Sequence, residues 1–151
     1  MQPISKILVP TDGTALSQNT AQQALDLAVA LKAKVIFFHA KPEPSQSFFG
    51  GEGGGFVDQV SPQEFENISN KLANDYLESL GALARDAGVE FELVIGSSSE
   101  PYEAIIETAT NKQCDLIIMA SHGRRGIKSL ILGSETQKVL THSKIPVLVY
   151  R

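Results

Sequence analysis

Between Asp115 and Thr136 the chain reads DLIIMASHGRRGIKSLILGSET, and these residue types suit the binding of a phosphate group. The apolar run Leu116 to Ala120 is long enough for a buried strand and too short for a helix. Ser121, His122, Gly123, Arg124, Arg125, Gly126 and Lys128 follow, and Gly133-Ser134 precedes a helical pattern. Glycine admits close approach of backbone N–H groups, a helix start supplies unpaired donors and the positive end of a dipole, and basic side chains add charge. Peptide N–H groups around Gly123 and Gly133 are therefore expected to converge on one spot, across a furrow from Asp12. Ser134 reads as an N-cap, alone or while also meeting a phosphate, and Arg124 and Arg125 read as a solvated charge pair or as a pair of which at least one grips a phosphate bidentately. Asp12 reads either as an acceptor for ribose hydroxyls or as the residue that braces the turn before Gly13.

Other chemistries lack their residues. The chain has no G-x-x-x-x-G-K-[ST], and no G-x-G-x-x-G follows Gly13. The segment PTDGT resembles the haloacid dehalogenase phosphatase motif DxDGT, but Pro10 stands where the nucleophilic aspartate belongs. Ser121 and His122 are neighbours in what reads as an extended segment, so their side chains are expected to point to opposite sides rather than pair as a catalytic dyad. His39 ends an apolar strand and His142 lies near a helix C-terminus, where a cation is favourable; structural roles are expected for both. No His/Cys/Asp cluster has metal-ligand spacing, so a divalent ion would arrive with a polyphosphate. Cys114 cannot form an internal disulfide and reads as a small buried residue just before a strand.

The elements that must position this stretch can be read from hydrophobic period. Ile4 to Pro10 is a first strand ending in the turn signal Thr11-Asp12-Gly13-Thr14. Residues 16–31 carry Ala21, Ala24, Leu25, Ala28 and Leu31 at helical spacing, and Lys34 to Ala40 is a second buried strand. Lys41 to Ser61 breaks the rhythm with Pro42, Pro44 and a glycine cluster from Gly50 to Gly55, and reads as a flexible insertion whose Phe48, Phe49 and Phe56 could form a lid. Ser61-Pro62-Gln63-Glu64 is a capping box opening a helix whose apolar face runs through Phe65, Ile68, Leu72, Tyr76, Leu80, Leu83 and Ala87, up to Gly88. Val89 to Ile95 alternates apolar and acidic, as an outer strand with one wet face would. Pro101 to Asn111 and residues 134–142 complete the helices, with Tyr102, Ile105, Ile106 and Ala109 of the former facing inward. Ile145 to Arg151 is a last strand with Pro146 at its start.

Five strands alternating with four helices imply a parallel α/β sheet with right-handed crossovers. Ligands of such sheets lie beyond the carboxyl ends of the strands at the switch point, which points to the loops after Pro10, Ala40 and Ala120. At 151 residues the chain fits one domain, and 42% hydrophobic with 20% charged residues is an ordinary globular composition. No apolar run approaches the roughly 18 residues of a membrane span, the N-terminus lacks a signal-peptide layout, and a cytoplasmic protein is expected. Residues 120–151 hold six Lys/Arg against one acid, Glu135, a local +5 in a chain of −4 overall, which leaves −9 for the other 119 residues. An acidic surface disfavours nucleic acid and anionic membranes; a local basic loop suits a small anion.

The spacing from Ala120 through Gly123 to Gly133-Ser134 resembles the signature Gly-x2-Gly-x9-Gly-Ser/Thr of the universal stress protein family. The likeness extends over nearly the whole chain, from the strand entering PTDGT to FHA and the closing SKIPVLVYR; Ala120 stands in place of the first glycine, adding one methyl group. It implies a single Rossmann-like domain over residues 1–151, similar to adenine nucleotide alpha hydrolases, with strand order 3-2-1-4-5. It also implies an ATP site, with magnesium, in which Pro10, Thr11 and Asp12 hold adenine and ribose and Ala40 offers backbone hydrogen bonds to the base. Gly123, Arg124, Gly133, Ser134, Glu135 and Thr136 would carry the phosphates, with Met119, Ala120, Ser121, His122, Arg125 and Gly126 completing the site. A homodimer through Ile145–Arg151 is the economical cover for an apolar edge strand. The residues provide no evident general base for water, so regulatory ATP binding is expected rather than efficient hydrolysis. The alternatives are a nucleotide-free dimeric interaction module, with Ala120 marking a lost pocket, and a slow ATPase.

Overall fold

Apolar strands bounded by turn residues are found where period and composition require them. The computed structural model describes residues 2–41, 61–122 and 132–151. Along the chain lie β1 (Lys6–Pro10), α1 (Ala15–Leu31), β2 (Lys34–Lys41), α2 (Pro62–Asp86), β3 (Phe91–Ser97), α3 (Pro101–Asn111), β4 (Leu116–Ala120), α4 (Ser134–His142) and β5 (Val147–Tyr150). The five strands form one sheet in the order β3-β2-β1-β4-β5, every pair parallel, as expected. The glycine-rich insertion expected at about 41–61 lies, apart from Lys41 and Ser61, outside the described residues.

The central strands are apolar on both faces, and their two-residue period divides the core in two. Ile7, Val9, Val35, Phe37, Leu116 and Ile118 pack with the buried sides of α1 and α2. Leu8, Ile36, Phe38, Ile117 and Met119 face the other way, with Ile105 and Ala109 of α3 and Val139 of α4. The chain therefore switches faces between β1 and β4, which are neighbours.

α2 begins with the expected capping box: the Ser61 side chain accepts from the Glu64 amide, and the Glu64 carboxylate accepts from the Ser61 amide. Its buried face differs from the expected one. Ala73, Leu77, Leu80, Gly81 and Ala84 are buried, whereas Ile68 is 54% and Leu72 52% exposed. The helix outruns the sheet at its N-terminal end, because 25 residues span about 37 Å and a seven-residue strand about 23 Å. Small residues, Ala73, Gly81 and Ala84, share the contact surface with Leu77 and Leu80. Three strand starts also move inward: β1 begins at Lys6 rather than Ile4, β3 at Phe91 rather than Val89, and β5 at Val147, just after Pro146.

A polar cluster locks the amino ends of the strands. Asp115, just before β4, accepts from the Ser5 amide, the Ser5 hydroxyl and the Lys6 amide, each at 2.9 Å. The Ser5 amide first, then the Ser5 hydroxyl and Lys6 amide, holds the Asp115 carboxyl below its ordinary pKa. Lys6 Nζ donates to the Lys112 carbonyl at the end of α3, and Lys112 pairs with Glu92. Glu92 is likewise held below its ordinary value, chiefly by that Lys112 hydrogen bond. Asp115→Asn is expected to lower stability by about 1 kcal/mol at neutral pH. Because the folded pKa of Asp115 is depressed, its contribution is full above the unfolded value and is lost as pH falls through the folded one. Urea midpoints of the two proteins should therefore converge in acid; a gap that widens on acidification would contradict this.

Candidate functional site

The carboxyl ends of β2, β1 and β4 lie side by side, and their register aligns the residues expected to bind. Pro10 pairs with Phe38, and Leu8 with Ile117. Continuing those registers sets Asp12 level with Ala40, and Thr11 level with Ala120. Neighbouring strands in a sheet are about 4.8 Å apart, so these ends form one narrow shelf at the switch point.

The loop after β1 is stitched to α1 by its own side chains. Thr14 caps α1 by accepting from the Ser17 amide. The Thr14 amide and hydroxyl donate to Asp12 Oδ1 at 3.0 and 2.7 Å, so one carboxylate oxygen braces the turn. The buried Ser17 hydroxyl donates to Thr11 Oγ1 at 2.7 Å and accepts from the Asp12 amide at 3.2 Å. Thr11 is tied to β2 twice: its amide donates to the Phe38 carbonyl, and its carbonyl lies 2.9 Å from His39 Nδ1. This gives His39 the structural role expected of it.

On the other side of the shelf, α4 starts hard against the end of β4. The Gly133 amide donates to the Ser121 carbonyl at 2.7 Å, and Thr136 Oγ1 donates to the Ala120 carbonyl at 3.0 Å. A side chain at Gly133 would put its Cβ 3.0 Å from His122 Cα and 3.4 Å from the Ser121 carbonyl oxygen, so close packing explains the glycine. The expectation that the Gly133 amide itself faces a phosphate is corrected, since that N–H is spent inside the protein. The donors that a helix start leaves without intrahelical acceptors are those of Ser134, Glu135 and Thr136. Ser134 is the first helical residue rather than the N-cap, a position Gly133 takes with no side-chain cap.

Two side chains depart from their expected geometry. Ser121 Oγ lies 3.1 Å from His122 Nδ1, although strand alternation would separate them. The chain bends at Ser121, just past the end of β4, and the two-residue period stops there. Ser121 is buried, and no third group orients His122 among the described residues. Glu135 turns away from the shelf. Its carboxylate accepts from the Tyr102 amide at 2.9 Å, serving the first turn of α3, whose own N-cap Glu100 provides no side-chain bond. Lys138, 3.3 Å from Glu100 and 5.3 Å from the Tyr102 ring centre, reinforces the α3–α4 contact. Its pKa is raised, first by the Glu100 hydrogen bond.

The structure thus brings together Pro10, Thr11, Asp12, Ala40, Met119, Ala120, Ser121, His122, Gly133, Ser134 and Thr136 at one end of the sheet. Gly123, Arg124, Arg125 and Gly126 lie outside the described residues. Among the described residues no group of His, Cys, Asp or Glu is arranged to hold a metal ion. Cys114 is buried away from this end, and burial pushes its thiol up to about 11. Sequence reading missed Ser17, the hydrogen-bonding hub beneath Thr11, whose only signal was a polar residue on the buried side of α1. It also missed Tyr76, whose ring sits against Gly13.

Known proteins of the same build share this arrangement of elements. The sequence pattern of the universal stress protein family matches residues 3–151. Universal stress protein MJ0577 of Methanocaldococcus jannaschii is 34% identical over 97% of this chain and 94% of its own. The solved universal stress protein UspA from Lactobacillus plantarum superposes with a TM-score of 0.82 at 20% identity, covering all of both chains. A universal stress protein solved in complex with cAMP gives a TM-score of 0.70 at 23% identity, covering 99% of this chain and 98% of that one.

Gly133→Ala is expected to cost about 1–3 kcal/mol, because both crowding atoms belong to backbone that cannot swing aside. Urea denaturation measures it; an unchanged midpoint would contradict the close packing of α4 on β4.

Proposed function

Since the chain belongs to the universal stress protein family, we propose that it binds an adenine nucleotide, ATP with magnesium, at the carboxyl ends of β2, β1 and β4, as a regulatory state. The observation that carries this reading is the shelf itself: the Thr11–Asp12 turn on one side, and on the other the uncapped first turn of α4 held against β4. Amides at a helix start favour phosphate oxygens, and the aligned strand ends leave backbone groups for a base and ribose. The relative solved with cAMP, an adenine ligand, is 23% identical and supports this reading through the shared fold alone. In this reading Pro10, Thr11, Asp12, Ala40 and Met119 adjoin the base and ribose. Ala120, Ser121, His122, Ser134 and Thr136 adjoin the phosphates, together with Gly123, Arg124, Arg125 and Gly126. Gly133 acts through its packing. Glu135 joins through its backbone amide, its carboxylate being engaged with α3.

No helix among the described residues is long and apolar enough to cross a membrane, and the proposed location is the cytoplasm. β5 is an edge strand; Val147 packs beneath α3 and α4, while Leu148 on the opposite face is 43% exposed. A homodimer pairing through this strand would cover both the apolar side chain and the open edge. The Ser121–His122 hydrogen bond supports slow ATP hydrolysis as a second reading, since a histidine in reach of a hydroxyl could accept a proton in the same pocket.

Calorimetric melting tests the binding. MgATP at about 100 times its Kd is expected to stabilise the fold by about 2.7 kcal/mol, and no shift at millimolar MgATP would count against it. Phosphate release that His122→Ala abolishes would favour the second reading. Sedimentation tests the dimer: Leu148→Lys is expected to yield monomer, and an unchanged sedimentation coefficient would contradict pairing through β5.

A further inference from the structure

The loop that would face the nucleotide is braced by a residue from a different part of the chain. Gly13 has φ of +79°, a left-handed conformation that side chains rarely adopt. A Cβ built there would lie 2.2 Å from Cζ of Tyr76, 2.3 Å from Cε2 and 2.6 Å from Cε1. The end of the Tyr76 ring therefore occupies the volume that any side chain at position 13 would need. The same ring lies 6.2 Å, centre to centre, from that of His39, which in turn contacts the Thr11 carbonyl.

Tyr76 comes from a fixed frame. Ala73, Leu77 and Leu80 on either side of it in α2 are buried in the core. Lys41, the last residue of β2, ties the same helix down through Asn70 Oδ1 at 2.5 Å and Glu66 at 3.5 Å. The hydrogen bonds that hold the loop come from α1, from β2 and from the loop itself, where the Gly13 amide donates to Thr11 Oγ1 at 3.3 Å. The Tyr76 ring acts at Gly13, from the α2 side. Wedged between these supports, the turn can neither rise nor relax outward without losing the ring contact.

We propose that Tyr76 is a positioning residue for the nucleotide site: seated on Gly13, it sets the height of the Thr11–Thr14 turn and thereby the affinity for the adenine nucleotide. This rests on the binding reading above, and it adds α2 to the elements that determine affinity. What matters is the ring, so phenylalanine should serve and a smaller residue should not. Glycine at 13 and an aromatic ring at 76 form one unit, so their substitutions should not act independently.

The test is calorimetric titration with MgATP, combined with amide hydrogen exchange in the absence of nucleotide. Tyr76→Ala is expected to weaken ATP binding about tenfold, with Tyr76→Phe within about twofold of the unsubstituted protein. Without nucleotide, exchange at Asp12, Gly13 and Thr14 should quicken in Tyr76→Ala while the amides of β4 stay protected. Gly13→Ala should cost less affinity in the Tyr76→Ala background than alone, because the collision with the ring is gone while the backbone strain remains. Tyr76→Leu keeps an apolar helix position should Tyr76→Ala not fold, and should show the same weakening. Unchanged affinity and unchanged exchange in Tyr76→Ala or Tyr76→Leu, beside an unsubstituted protein that binds ATP, would overturn this proposal alone. An unsubstituted protein that binds no adenine nucleotide would overturn the functional reading and this proposal with it.

Discussion

The hydrogen bond from the Gly133 amide to the Ser121 carbonyl, 2.7 Å long, fixes where helix α4 begins, and the rest of the site depends on that position. It holds because position 133 has no side chain: a Cβ would meet the His122 backbone at 3.0 Å. Thr136, one turn along, repeats the tie with its hydroxyl on the Ala120 carbonyl. Two bonds to successive carbonyls set both the height and the direction of the helix, and so aim the amides of its first turn. From the same turn Glu135 reaches back to satisfy the start of α3, so both helices on this face of the sheet are oriented by one junction.

A second constraint operates across the switch point. The loop after β1 is almost wholly self-satisfied: Asp12, Thr14, Ser17 and Thr11 exchange hydrogen bonds among themselves, and Thr11 hangs on β2. Such a turn is stiff and loses little entropy when a ligand settles against it. The two rims of the shelf are thus built differently. One is a hydrogen-bonded turn wedged by an aromatic ring, and the other is a helix start pulled onto a strand end.

The fold was legible in the sequence because its signals are local. Continuous apolar strands, the Ser61–Glu64 capping box and the proline starts of α2 and α3 each specify an element without tertiary help. The positions gathered at the carboxyl ends of the strands were legible, since glycine and hydroxyl spacing after an apolar strand announces a tight turn into a helix. The direction in which each group points was not legible. Spacing marks Gly133 as a phosphate donor, whereas it is a packing glycine whose amide is already engaged. Glu135 faces α3 because that helix lacks a capping side chain of its own. Ser121 and His122 meet because the strand ends at Ala120, one residue before alternation would have separated them. Helical period alone places Ile68 and Leu72 on the core face, because it cannot tell how far a helix projects beyond its sheet.

In the proposed reading, the first-turn amides of α4 and the Thr11–Asp12 turn address the same small molecule from opposite sides. Titrating MgATP into nitrogen-15-labelled protein and following every amide resonance addresses this most directly. The account predicts that the largest shifts fall together on Thr11, Asp12 and Ser134 through Thr136, saturating at one common nucleotide concentration. Shifts confined to other surfaces, or α4 and β1 loop resonances that stay fixed at saturation, would contradict it.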